Sequence, residues 1–279
     1  MYGDRKMNNK ITYAISDIHG CLDKLKEKME LVDLQGDNRI VFLGDYIDYG
    51  RQSGQVLQYI CDLQSEHGTD KVIVLKGNHE DMILTWIDEY SGAVPGSDEM
   101  FYDSWFKTDS EQNYKTFRTL VTEEQLDKIR EMEKTASFED FNKEAVRMVL
   151  ETNGKLVQWM RSMLSYFQTD TQIYVHAGVD EEAEEYWMWG TGDEVFLWKH
   201  PASIGKFCKT VIAGHVGTSS LAHEKGFHDV FYDGASHYYI DGSAAGHGKL
   251  LLLAYDEEES KYYQIEEGRS IPVRKYIYQ

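Results

Sequence analysis

Five short clusters in this chain carry side chains suited to divalent cations: SDIHG at 16–20, GDYID at 44–48, GNHE at 77–80, VHAG at 175–178 and AGH at 213–215. Together they offer Asp17, His19, Asp45, Asn78, His79, His176 and His215. Carboxylate, carboxamide and imidazole groups suit Mn, Fe or Zn, and the set offers no thiolate, which argues against a structural zinc site. Asp45 is the natural bridging carboxylate, with Asp17 and His19 on one ion and Asn78, His176 and His215 on the other. Two ions held about 3.5–4 Å apart clamp the attacking and leaving oxygens of an in-line displacement. They also lower the pKa of bound water, so that hydroxide exists near neutral pH. His79, beside a ligating Asn, is placed to protonate a leaving alkoxide. Asp48, one turn beyond Asp45, is placed to fix the His79 tautomer, as the carboxylate does in a Ser-His-Asp triad.

Each cluster follows an apolar or β-branched run: ITYAI before Asp17, RIVFL before Asp45, KVIVLK before Asn78, QIYV before His176 and TVIA before His215. In an open α/β sheet the carboxyl ends of the strands face one crevice, so five such ends would bring the polar set together. Asp17, Asp45 and Asn78 are spaced by about 30 residues, the length of a strand, a crossover helix and the next parallel strand. The connections carry the helical period: Leu22, Leu25, Met29 and Val32 in the first, and Val56, Tyr59, Ile60 and Leu63 after Ser53 in the second. Residues 85–170 read as a helical cap. Thr122 and Gln125 form a capping-box pattern before Leu126, Ile129 and Met132. Ser137 opens a helix with Phe138, Phe141, Ala145 and Met148 on one face, and a third helix carries Leu156, Val157, Trp159, Met160 and Met163. No Pro/Gly/Ser linker bounds the cap, so the reading is one domain spanning 1–279 with an insertion. From 228 onward VFYDG, HYYID, KLLLLAYD and KYYQIEE alternate with turn residues and give an antiparallel finish.

SDIHG, GDYIDYG, GNHE, VHAG and GH resemble the signature of the calcineurin-like metallophosphoesterases, in particular the bacterial phosphoprotein phosphatases, whose usual forms are GDxHG, GDxxDRG, GNHE, HAG and GH. The likeness spans roughly residues 11–256, and YIDGSAAGHGKL at 239–250 resembles the family's closing strand pair. One motif alone would be weak; five in the right order are specific. The resemblance implies an α/β fold, a β-sandwich of two mixed sheets flanked by helices, with phosphoester hydrolysis on two metals. Its ligand and acid roles coincide with those assigned above. The departures fall on the phosphate grip. Tyr49 stands where the family has Arg, with Arg51 two places on, and Trp198-Lys199-His200 stands in place of W-x-R. Arg51, Lys199 and His200, together with Asn78, are therefore the candidate phosphate contacts; Tyr and His cannot copy a bidentate guanidinium fork.

The chain has 279 residues, a net charge of −19 and three widely spaced Cys at 21, 61 and 208, a pattern that makes no disulfide framework. No apolar run approaches a membrane span, and MYGDRKMNNK lacks the apolar core of a signal peptide, so a cytoplasmic setting is expected. The acidic balance argues against nucleic acid as partner, since phosphate backbones bind through basic patches. It favours a phosphorylated substrate on a basic peptide over a bare polyphosphate. Three functions compete: a serine/threonine protein phosphatase, a dinucleoside tetraphosphate hydrolase, and a catalytically impaired metal- and phosphate-binding protein. In the acidic, aromatic segment 180–194, Trp187 and Trp189 either stack a base or seal the loop against the sheet. His67, His223, His228 and His237 read as surface or satisfied residues, and Cys21 as a half-buried helix-start residue.

Overall fold

Strands made largely of apolar and β-branched residues are built to be buried on both faces, and the arrangement here follows from that. The structure, a computed structural model, describes residues 10–92, 105–106 and 111–277. The first half alternates strand and helix: β1 Ile11–Ile15, α1 Leu22–Met29, β2 Arg39–Phe42, α2 Ser53–His67, β3 Val72–Val74 and α3 Asn78–Ser91. Helices α4 Glu111–Phe117, α5 Glu123–Met132 and α6 Phe138–Met160 follow. The second half comprises β4 Tyr166–Gln168, β5 Gln172–Val175, α7 Trp187–Gly190, α8 Asp193–Trp198, β6 Thr210–Ala213 and α9 Thr218–Leu221, then β7 Phe231–Tyr232, β8 His237–Tyr239, β9 Leu253–Asp256, β10 Lys261–Glu266 and β11 Arg269–Pro272.

Two mixed sheets result. The first has the order β11-β10-β9-β1-β2-β3, with β1, β2 and β3 parallel and the C-terminal strands antiparallel. The second has the order β4-β5-β6-β8-β7, with β5, β6 and β8 parallel. Alternation within the strands sorts three hydrophobic layers. Ile40, Phe42, Val72 and Val74 face the helices, while Val41, Leu43, Ile73 and Leu75 meet Tyr174, Ile212 and Tyr238 between the sheets. On the far side Ile173, Val175, Val211 and Ala213 pack against Trp187, Phe196 and Leu197. The cap helices share the helix-side layer, since Phe106 stacks on Phe117 and Phe141 and the three pack with Trp86 and Ile83.

The capping signals are used as read: Thr122 Oγ1 accepts from Gln125 N, and Ser137 Oγ accepts from Asp140 N. Four expectations need correction. Phe138 is 54% exposed, because as the first residue of α6 it points off the stripe that Phe141, Ala145 and Met148 bury. The two helices expected after Ser137 form one element with a break at Asn153, whose side chain donates to the Leu120 carbonyl at 2.7 Å. The final residues of the 85–170 segment are strand β4 rather than helix. The 239–250 segment, for its part, is the crossing between β8 and β9, which lie in different sheets, rather than a strand pair. Residues 93–104 and 107–110 of the cap lie outside the described residues. Among the described residues no helix is long and apolar enough to cross a membrane.

The turns that follow β2 and β3 are held together by one fully buried side chain, Glu80. Its Oε1 accepts from Tyr46 N (2.8 Å) and Ile47 N (3.2 Å), and its Oε2 from Asp45 N (2.8 Å) and Gly77 N (3.1 Å). No side chain fits between these turns. A Cβ on Gly77 would lie 2.3 Å from both Asp45 N and Asp45 Oδ1. Replacing Glu80 by Gln turns one acceptor into a donor facing two amides. Glu80→Gln is expected to lose about 2–3 kcal/mol of stability, the scale of hydrogen bonds to a charged group. A urea midpoint equal to that of the parent chain would contradict this role.

Candidate metal centre

The chain leaves each central strand through a tight turn, and the residues it places there have backbone angles that side chains seldom adopt. Asp17 (φ 55°), His19 (45°), Asp45 (59°), Asp48 (69°), Tyr49 (58°) and His215 (62°) all lie in the left-handed region. Each such residue costs on the order of 1–3 kcal/mol and persists only where its surroundings impose it. Here they do: Asp17 N donates to the Gly44 carbonyl (3.1 Å), His19 N to the Asp45 carbonyl (2.9 Å) and Gly20 N to the Tyr46 carbonyl (2.7 Å). The turns after β1 and β2 are thereby bonded to each other, with the Glu80-held turn after β3 alongside.

This places the groups expected from the five motifs in one buried cluster. Asp45 sits at its middle. Its Oδ2 is 3.5 Å from His19 Nε2 and 3.9 Å from His79 Nε2, and its Oδ1 is 3.4 Å from His176 Nε2. Asn78 Oδ1 lies 2.8 Å from His176 Nε2 and 3.1 Å from His215 Nδ1. Two sets of donor atoms, His19–Asp45–His79 and Asp45–His176–His215, each lie within 4.8 Å of one another and share Asp45. Asp17 stands slightly apart, with Oδ1 4.0 Å from His19 Nε2, and its carboxylate accepts from His215 N at 3.1 Å.

The ring orientations suit cation ligands. His19 Nδ1 donates to the Ile47 carbonyl (2.7 Å) and His176 Nδ1 to the Leu43 carbonyl (2.9 Å), which leaves each Nε2 lone pair facing Asp45. Burial holds the His176 pKa below its ordinary value, and burial with the charge of His176 takes His215 down to about 4, so both rings are neutral near pH 7. Asp17 is the opposite case. Burial, then the charges of Asp241 and Asp45, push its carboxyl well above the usual carboxylate range. Burial also acts to raise Asp45, but the His176, His79 and His19 imidazoles hold it down to about 2. Neutral imidazoles facing buried carboxylates are what a divalent cation requires, so the residues present fit the metals that the motifs imply.

His79 is set apart by its other nitrogen. Its Nδ1 donates to Asp48 Oδ2 at 2.7 Å. Burial would lower its pKa, but the charges of Asp45 and Asp48 raise it to about 9. Asp48 is completely buried and receives more than His79. Trp105 Nε1 (3.1 Å) and Asn113 Nδ2 (3.2 Å) donate to the same oxygen, and the Thr116 hydroxyl donates to Oδ1 at 2.7 Å. These three residues come from the cap, and sequence reasoning assigned none of them. Glu80 was likewise unassigned although it stands in GNHE. A buried carboxylate directly after two site residues was the available signal.

The residues expected to grip phosphate are not gathered in the same way. Lys199 packs its stem over Gly178, and its Nζ bonds to the Val179 carbonyl and, at 3.2 Å, to Glu181. Arg51 is exposed and within electrostatic reach of Glu111 at the start of α4. His200 is exposed and within electrostatic reach of His215. Tyr49 sits edge-on to His19 and His79, at ring centroid distances of 4.8 and 5.4 Å. In the 180–194 loop Trp187 is buried against Tyr166, whereas Trp189 is 77% exposed. His237 is fully buried between Asp233 (2.9 Å) and Glu181 (3.3 Å), and is therefore satisfied.

A family model of calcineurin-like phosphoesterases matches residues 12–218. In sequence, the chain is 36% identical over 73 residues to the symmetrical bis(5'-nucleosyl)-tetraphosphatase of Wigglesworthia glossinidia brevipalpis, a match to 26% of this chain and 25% of that one. The chain thus spans about a quarter of the length of this curated relative. In structure, it superposes on the cold-active protein-tyrosine phosphatase of a psychrophilic Shewanella with a TM-score of 0.56 at 16% identity, covering 98% of this chain and 82% of that one. A serine/threonine phosphatase from Saccharomyces cerevisiae gives a TM-score of 0.51 at 13% identity, covering 97% and 81%. At these identities the structural likeness bears on the fold alone, whereas the family match runs from β1 through the turn after His215 and takes in every motif. This chain belongs to the calcineurin-like phosphoesterase family.

Proposed function

We propose that the chain hydrolyses phosphomonoesters, with phosphoserine and phosphothreonine in proteins as the substrate. The observation that carries this reading is the His79–Asp48 pair set against Asp45, an acid poised beside a shared-carboxylate cation site. Asp17, His19 and Asp45 would hold one divalent cation, and Asp45, Asn78, His176 and His215 the other, with Mn, Fe or Zn the suitable metals. When bound, such cations offset the charge of the phosphoryl oxygens and lower the pKa of the attacking water. Water adds to phosphorus in line, the ester P–O bond breaks, and the proton on His79 Nε2 passes to the departing alkoxide. Asp48 keeps the His79 proton pattern in register, and Trp105, Asn113 and Thr116 hold Asp48 in place.

The choice of a monoester over a polyphosphate rests on the charge around the site. Lys199 is occupied by Glu181 and the Val179 carbonyl, and the chain carries a net charge of −19. A long polyphosphate would meet repulsion that a monoester on a basic peptide would not. The similarity to symmetrical tetraphosphatases supports the second reading, dinucleoside tetraphosphate hydrolysis. A side-by-side comparison decides between them: kcat/KM for a basic phosphothreonine peptide should exceed that for diadenosine tetraphosphate at least tenfold, and the reverse order would establish the second reading. Arg51 and His200 remain the candidate phosphate contacts, with Lys199 available only if its bond to Glu181 is released.

His79→Asn is expected to lower turnover by about 10²–10⁴, the range for a positioned acid. The loss should be smaller for aryl phosphates, whose leaving group needs little protonation, and the metal content should be unchanged. Equal losses on alkyl and aryl substrates, or loss of metal, would make His79 a ligand instead. Thr116→Val removes one donor from Asp48 and should reduce kcat by about tenfold, the lower end for a supporting contact. Unchanged turnover in Thr116→Val would detach the cap from the chemistry.

A further inference from the structure

Six strands in the two sheets run parallel to a sheet neighbour, β1, β2 and β3 in one and β5, β6 and β8 in the other. Five of them lead within four residues to a group of the metal centre: Asp17, Asp45, Asn78, His176 and His215. The sixth, β8, ends at Tyr239 and leads to Asp241, which has entered so far only as a charge acting on Asp17. The pairing of β6 with β8 fixes its position. Ala213 stands opposite Tyr239, and Ile240 N donates to the Ala213 carbonyl at 2.8 Å. Asp241 and His215, each two residues past that pair, therefore leave the sheet side by side. Thr218 N, three residues after His215, donates to the Asp241 carbonyl at 2.9 Å and keeps the two turns together.

The turn after Asp241 is as tightly determined as those that carry the known groups. Ser243 N donates to Asp241 Oδ1 at 2.7 Å, and Ser243 itself is left-handed at φ 60°. Gly246 N and Gly248 N both donate to the Ser243 carbonyl, at 3.0 and 3.2 Å. From the opposite sheet's first helix, Lys24 Nζ donates to the carbonyls of Ala244 (2.7 Å) and Gly248 (3.1 Å). With Oδ1 occupied by Ser243, Oδ2 has no donor among the described residues. Burial pushes the Asp241 carboxyl above its ordinary value; among the charges acting on it are His19, Asp45 and His176, and it in turn acts on Asp17. A partly buried carboxylate within electrostatic reach of Asp17 and Asp45 is costly unless a cation lies near.

We propose that Asp241 is a positioning carboxylate of the metal centre, set beside His215 and supplying negative charge to the cations that the centre would hold. The inference rests on the metal-centre reading above, and metal binding tests the two separately. Metal-free full-length protein, its Asp241→Asn variant and its Asp241→Glu variant would be titrated with Mn²⁺ by calorimetry, and each metal-free protein melted. Asn keeps the acceptor for Ser243 N, so the turn should survive. One Mn²⁺ binding step in Asp241→Asn should weaken about 10–100-fold, the scale for a group supporting the metal ligands. Asp241→Glu, which keeps the charge, should recover most of that loss. The melting temperature of metal-free Asp241→Asn should equal or exceed that of the parent, because one carboxylate leaves an acidic cluster. Mn²⁺ affinities within about twofold of the parent would overturn the proposal, as would a variant that melts lower but binds Mn²⁺ equally well. If the parent chain binds no Mn²⁺, the metal centre itself is refuted, and this role with it.

Discussion

Glu80 is a fully buried carboxyl group whose hydrogen bonds are to backbone. Four amides from two turns converge on its two oxygens, and the close approach of Gly44 and Gly77 leaves no room for a looser arrangement. That constraint fixes where Asp45 sits relative to Asn78, and so where any shared carboxylate lies relative to the second sheet. A site assembled from five turns on two sheets has no single element to hold it. Bonds between turns do that work, with Glu80 across β2 and β3, the Gly44, Asp45 and Tyr46 carbonyls across β1 and β2, and His176 Nδ1 on the Leu43 carbonyl across the sheets.

The cap takes part in the same logic. Its helices share a hydrophobic layer with the first sheet, and their polar residues converge on Asp48, which touches His79. Packing of Phe106, Phe117 and Phe141 thus leads, through Thr116 and Asn113, to the orientation of one imidazole. Rotamer locking by a packed layer is the means by which a side chain of one helix steers a proton donor in another part of the fold.

Much of this was legible in the sequence, because the apolar runs before each motif are continuous and strand ends gather polar groups by topology. ITYAI, QIYV and TVIA became β1, β5 and β6 residue for residue, and RIVFL and KVIVLK contain β2 and β3. Thr122 and Ser137 marked helix starts because their hydroxyls cap amides that no other group satisfies. What the sequence did not disclose depends on three-dimensional contact. Trp105, Asn113 and Thr116 stand far along the chain from Asp48 and follow no motif spacing. Lys199 reads as a free cation until Glu181 is seen beside it. The kink at Asn153 arises where its side chain leaves the helix for the Leu120 carbonyl, which no periodicity announces.

The central claim is that Asp45 lies between two cation sites. Elemental analysis of the purified chain after reconstitution with Mn²⁺, with Asp45→Asn treated identically, tests it most directly. The account predicts about two ions per chain for the parent, as in two-metal phosphoesterase sites, and a fall in bound metal when the shared carboxylate becomes an amide. Fewer than about one ion per parent chain, or equal metal in the two proteins, would contradict it.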